Sequence, residues 1–176
     1  MENTALVVGA TGLVGNLVLL ELSNDNENIF AVTRRFIELD EIDVAEDPVR
    51  PELDLNWRKS FDRKIYGLKH NNDIEAIICL AFTNDVPHTV RELDLMSKVN
   101  KYEENADTII AYTVWSRKKG AGQKIMEEAL LFAKTNGFKR IVTLSPLTPM
   151  ATHYHIRNGA KLLGHNPTTQ NFEYSL

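Results

Sequence analysis

The sequence is short of the features that settle a protein's class at a glance. Only one of its 176 residues is cysteine, Cys79, so no internal disulfide can form. The run around it, Ala76-Ile-Ile-Cys-Leu-Ala-Phe82, reads as a buried strand. No apolar run approaches the ~18 residues of a membrane span. Met1-Glu2-Asn3 lacks the basic start of a secretory leader, so the expectation is a soluble, cytoplasmic protein without a membrane partner. Neither sign of charge dominates: 20 Lys and Arg against 24 Asp and Glu leave a formal net charge of −4, which makes no general case for nucleic acid. Internal repeats and low-complexity segments are missing as well. Acidic residues crowd the interval from Glu38 to Asp54, yet none follows the ligand order of a calcium loop, so no metal site is expected.

What is present suffices for one domain with a sizeable core and a small appendage. The stretch that organises it is Arg117-Lys118-Lys119-Gly120-Ala121-Gly122-Gln123. A strand-like run, Thr108 to Trp115, leads into it, and an amphipathic helix pattern leaves it towards Thr135. Strand, glycine-rich turn and helix start aim several backbone N–H groups at one point, where the positive end of the helix dipole also lies. This is an anion site suited to a phosphate or pyrophosphate. Gly120 and Gly122 allow close backbone approach, and Arg117 and Lys119 add positive charge. Basic side chains at a helix start oppose the dipole, and an arriving anion removes the conflict.

Around this turn the pattern is regular. Arg63–Lys69 and Asp73–Phe82 read as hairpin strands separated by His70-Asn71-Asn72. Val86–Ser97 reads as a helix, Lys98–Asp107 as a polar connection, and Asn136-Gly137 as the end of the central helix. Lys139–Pro146 reads as a strand, Met150–Asn158 as a short helix closed by Gly159, and residues 161–164 and 171–176 as final strands. The acidic interval, taken as residues 36–56 and broken by Pro48 and Pro51, reads as a solvated connection with a short helix. Its carboxylates also make a weak case for a path taken by an amine.

A second glycine-rich turn competes for the phosphate. The strand Thr4–Val8 precedes Gly9-Ala-Thr-Gly12-Leu-Val-Gly15, and a helical run and the strand Ile29–Thr33 follow. This unit resembles the opening of the extended short-chain dehydrogenases, and Arg34-Arg35 resembles the basic pair they set against the 2′-phosphate of NADP. One βαβ unit supplies only part of a dinucleotide site, and no Tyr-x-x-x-Lys pair occurs, so it is read as a βαβ-like appendage over residues 1–35. An NAD(P)-binding module is the alternative.

From residue 36 onwards the chain resembles the GNAT acetyltransferase superfamily. The resemblance rests on Arg117-Lys-Lys-Gly-Ala-Gly122, the strand Ile141–Leu144, and Ala151-x-x-x-His155-x-x-x-Gly159. It implies an α/β (α+β) fold with a central mixed, mostly antiparallel sheet flanked by helices. It also implies an acetyl-CoA-dependent N-acyltransferase in which an amine attacks the thioester directly. Coenzyme A would set its pyrophosphate on Arg117, Lys118, Lys119, Gly120, Ala121, Gly122 and Gln123, and its pantetheine beside Val114 and Trp115. The family's usual tyrosine position holds His155, with Tyr154 one residue earlier. His155 is the favoured acid, because an imidazolium donates near neutral pH more readily than a phenol of pKa about 10; Tyr154 would turn roughly 100° away, towards the core. Glu75 on the hairpin is the candidate base, and His88 lies near the expected substrate mouth. The acceptor would be a small-molecule or peptide amine, and the family often forms homodimers.

Thr143-Leu-Ser-Pro146, with Pro149, is similar to wording in malonyl-CoA decarboxylase, whose catalytic domain is itself GNAT-like and relies on a serine and a histidine. Decarboxylation is therefore an alternative that keeps the cofactor site, as is a GNAT-like domain that binds coenzyme A without turnover. Ser145 by itself reads as a helix cap or a turn before Pro146.

Overall fold

The alternation of apolar residues in the hairpin runs builds a sheet. In the computed structural model, which describes residues 34–176, β2 (Arg63–His70) and β3 (Asp73–Thr83) pair antiparallel. Asn71 turns the corner at φ 55, the left-handed conformation that a two-residue hairpin loop requires and asparagine tolerates. β3 is buried from Glu75 to Ala81, and so reads as an unbroken apolar run rather than an alternating one. Residues 1–33, which carry the expected nucleotide-binding glycines Gly9, Gly12 and Gly15, lie outside the described residues.

β1 (Arg34–Glu38) pairs with the outer edge of β2, and the ring of Phe36 stacks on that of Tyr66 at 4.7 Å. This corrects two expectations. The boundary drawn between residues 35 and 36 falls inside one strand, and residues 36–38 are not a solvated connection. The remainder of the acidic interval folds as a 3-10 turn, Val44–Glu46, and a short helix, α1 (Leu55–Lys59). Several acids serve locally: Asp43 and Asp54 accept the amides of Ala45 and Trp57 as N-caps, and Asp40 pairs with Lys59.

α2 (Val90–Glu103) starts later and ends later than the sequence pattern suggests. Thr89 caps it by accepting the amide of Glu92, and Leu93, Ser97 and Asn100 bury one face at helical spacing. Asn100 also donates to Asp62, which holds the last turns in place where a polar connection was expected. β4 (Thr108–Ser116) and α3 (Ala121–Thr135) follow, and Gly137 closes α3 at φ 75. β5 (Arg140–Thr143), β6 (Ser145–Pro146), α4 (Pro149–Arg157), β7 (Lys161–His165) and β8 (Thr169–Tyr174) complete the chain.

The strands form one sheet in the order β1-β2-β3-β4-β5-β8-β6, with β7 paired to β8. All pairings are antiparallel except β4 with β5. One face carries Leu68, Ile78 and Ile109 against Ile125, Met126 and Ala129 of α3. The other carries Ile77, Cys79, Ile110 and Val142 against Leu93 of α2. Each fully buried Ile or Leu contributes about 1.5–3 kcal/mol, so both faces are needed to hold the sheet. Among the described residues no helix is long and apolar enough to cross a membrane.

Candidate active site

The parallel pairing is what creates the site. β4 and β5 pair only from Thr108–Arg140 to Ala111–Thr143, and the last amide bond runs from Leu144 N to Ala111 O at 3.0 Å. Beyond it the strands separate. β4 is also bulged there: Cys79 pairs with Thr113 and Leu80 with Ala111, which leaves Tyr112 as the extra residue. The opening is a cavity of about 470 Å³. Val114, Trp115 and Ser116 line it from β4, Ser145 and Pro146 from β6, and Met150, Ala151, Tyr154 and His155 from α4. Pro48 and Val49 reach it from the acidic interval, and Gly122 from the start of α3.

The start of α3 differs from those of its neighbours. Asp54, Thr89 and Thr148 cap α1, α2 and α4 with side-chain oxygens, whereas Gly120 caps α3 at φ 81 with no side-chain bond. Ala121 N donates to Lys118 O and Lys124 N to Gly120 O, but the amides of Gly122 and Gln123 have no partner among the described residues. Two free first-turn amides beside a cleft are a fitting cradle for a phosphate group. The side chains of the turn are exposed and paired: Arg117 meets Glu46 at 2.6 Å, Lys118 meets Asp73 at 3.3 Å, and Gln123 donates to Glu127. Lys119 is exposed.

The interior end of the cleft holds a hydrogen-bonded chain. His155 Nε2 lies 2.7 Å from Ser145 Oγ, and Nδ1 lies 2.9 Å from the hydroxyl of Tyr174. Ser145 Oγ in turn donates to Thr143 Oγ1 at 3.0 Å. One direction satisfies every member: Tyr174 donates to Nδ1, Nε2–H donates to Ser145, and Ser145 donates to Thr143. His155 is only 5% exposed and stacks on Phe172, and burial lowers its pKa to about 4. It is therefore neutral at pH 7, which corrects the expectation of an imidazolium acid. Ser145 is not a cap; Thr148 caps α4.

Tyr154 packs against the core beneath α3, as expected, but it does not turn away from the cleft. It lines the cleft, and its hydroxyl donates to Gly122 O at 2.7 Å, tying α4 to the first turn of α3. Burial raises its pKa, so it stays protonated but spends its proton on that carbonyl. Glu75 is not a base in the cleft. Arg34 at 2.7 Å and His70 at 2.9 Å hold its carboxylate, Lys118 lies 3.4 Å away, and its pKa falls to about 2, chiefly through the Arg34 bond. Arg34 thus serves this ion pair at the head of β1. His88 is exposed beside Glu92.

One set of residues near the cleft escapes sequence reasoning. Asp47 is 1% exposed, and it accepts from Thr113 Oγ1 at 2.9 Å, Arg58 Nη2 at 2.8 Å and the amides of Val49 and Arg50. Arg50 donates to Tyr112 O at 3.0 Å and Leu144 O at 2.8 Å, one carbonyl on each side of the split. Hence the acidic interval does not furnish an acid-lined path. Among the described residues no Asp, Glu, Lys or Arg side chain lines the cleft.

This architecture is that of the GNAT acetyltransferases. An acetyltransferase of Bacillus subtilis, solved in complex with CoA, matches with a TM-score of 0.59 at 11% identity over 82% of this chain and 99% of its own. The GNAT domain of S. lividans PAT matches at 0.54 and 12% identity over 81% and 90%. Malonyl-CoA decarboxylase of Agrobacterium vitis matches at 0.61 and 15% identity over 81% of this chain, which spans 60% of that longer protein. No family model and no curated protein matches the sequence.

Proposed function

We propose that this chain is an acyl-CoA-dependent N-acyltransferase, with acetyl-CoA as donor and an amine as acceptor. The observation that carries the reading is the split between β4 and β5 opening beside the uncapped start of α3. The free amides of Gly122 and Gln123 would hold the pyrophosphate, with Arg117 and Lys118 released from Glu46 and Asp73 to share it. The thioester would lie along Val114 and Trp115. In transfer the amine nitrogen bonds the carbonyl carbon, the C–S bond breaks, and one proton passes from the nitrogen to the departing sulfur. The neutral His155–Ser145 pair can carry that proton.

A thermal-shift panel of CoA, acetyl-CoA, NADP and NAD tests the binding part. A ligand at 100 times its Kd adds about 2.7 kcal/mol to the folded state, so acetyl-CoA and CoA should raise Tm. Stabilisation by NADP alone would overturn the reading. Thiol release from acetyl-CoA over an amine library tests turnover.

A second reading is favoured by the Ser145–His155 pair and by the lack of a carboxylate base in the cleft. In it the donor is a malonyl-type thioester: the C–C bond to its carboxylate breaks, carbon dioxide leaves, and the enolate takes one proton at carbon from Ser145. Nε2–H replaces that proton, and a solvent proton then restores His155. An uncharged cleft destabilises the carboxylate of the bound substrate. Malonyl-CoA converted to acetyl-CoA without added amine and without thiol release would select this reading over acyl transfer.

A further inference from the structure

We infer that Arg50 is a positioning residue that keeps β4 and β5 apart, fixing the strand segment Thr113–Trp115 relative to the Ser145–His155 pair. The inference rests on the reading of this cleft as the reaction site, but its geometric part stands alone. In an uninterrupted parallel ladder the carbonyl of Leu144 would accept an amide of β4. Here it accepts Nη2 of Arg50 at 2.8 Å, while Nε takes the Tyr112 carbonyl at 3.0 Å. The guanidinium thus occupies the place where the next rung would form. Its planar fork suits this task, because one rigid group can satisfy two carbonyls at once.

The side chain is anchored from behind. The Arg50 amide donates to Asp47 at 3.2 Å, and its carbonyl accepts from Arg58 at 2.6 Å. Asp47 also holds Thr113, so the same short segment grips β4 at two successive residues. Leu144 directly precedes Ser145. A shift at the Leu144 carbonyl would therefore move the serine hydroxyl, whereas the uncapped start of α3, which shares no hydrogen bond with Arg50, would keep its phosphate cradle.

The test uses Arg50→Lys and Arg50→Met in the full chain, with ligand-free amide hydrogen exchange as the first readout. Both variants should speed exchange at 112–116 and at Leu144 and Ser145 by about tenfold or more, while β3 amides at 77–81 change by less than about threefold. Uniform acceleration across the sheet, or no change at 112–116, Leu144 and Ser145, would overturn the inference. Should Arg50→Met fail to fold, Arg50→Lys decides the result. In the kinetic arm, whichever reaction the wild type performs should lose about tenfold or more in kcat, with KM for the acyl-CoA nearly unchanged. A rise in KM alone would count against positioning. If the wild type neither binds CoA nor turns over, the functional reading fails, and the exchange result still judges the role of Arg50 in the fold.

Discussion

The buried imidazole of His155 makes the stability of this protein depend on pH in a calculable way. In the unfolded chain His155 has its ordinary pKa of 6.5; in the folded chain burial lowers it to about 4. Between these values the unfolded state binds a proton that the folded state refuses. Stability from this group is therefore full above pH 6.5 and is lost as pH falls towards 4. Each pH unit inside the window costs about 1.4 kcal/mol, and the whole window about 3 kcal/mol. The perturbation is His155→Gln, which removes the titration while leaving an amide to face Ser145. Urea unfolding of both proteins at pH 7.5, 6, 5 and 4.5 isolates the term, because the other carboxylates and histidines cancel in the difference. The advantage of wild type over the variant should shrink by about 1.4 kcal/mol per unit below pH 6. A difference that stays constant down to pH 4.5 would show that His155 titrates normally, and the neutral Ser145–His155 chain would go with it.

Three further outcomes follow from named contacts. Gly120→Ala puts a side chain at φ 81, where nothing lies within 4 Å, so the cost is backbone strain alone, about 1 kcal/mol in unfolding and a few degrees in Tm. Gly67→Ala places a Cβ 2.7 Å from Leu39 Cδ1 and 3.2 Å from Ile74 Cγ2; it should cost about 1–3 kcal/mol, and Leu39→Ala in the same chain should recover part of that loss. Arg117→Gln should weaken CoA binding about tenfold at low salt by calorimetry, with the gap narrowing as salt rises, while Glu46→Gln should tighten binding by freeing Arg117.

Most of the fold is legible in the sequence because most of its elements are set locally. The hairpin, the glycine turn and the helix-closing Gly137 each carry their own signal. The register that singles out His155 is also local, since it depends only on the spacing from Ala151 to Gly159. Its charge state is not: it follows from Phe172 and Tyr174 closing over the ring, residues that belong to the last strand. Glu75 fails as a base for the same kind of reason, because Arg34 and Lys118 reach it from distant strands and turns. The acidic interval misleads most. Its composition describes the residues that face water, whereas Asp47 and Arg50 are buried and find partners on β4 and beside Ser145. An isolated arginine between Pro48 and Pro51 was the only hint available.

The Arg50 clasp also bears on how the chain folds. It joins residue 50 to residues 112 and 144, spans of 62 and 94 positions. Closing such long loops is costly until β4 and β5 already lie side by side, so the clasp belongs to the end of folding rather than its nucleus. A contact absent from the transition state leaves the folding rate alone and slows escape from the native state. Arg50 therefore acts as a late bolt, and its contribution is felt in the lifetime of the folded molecule.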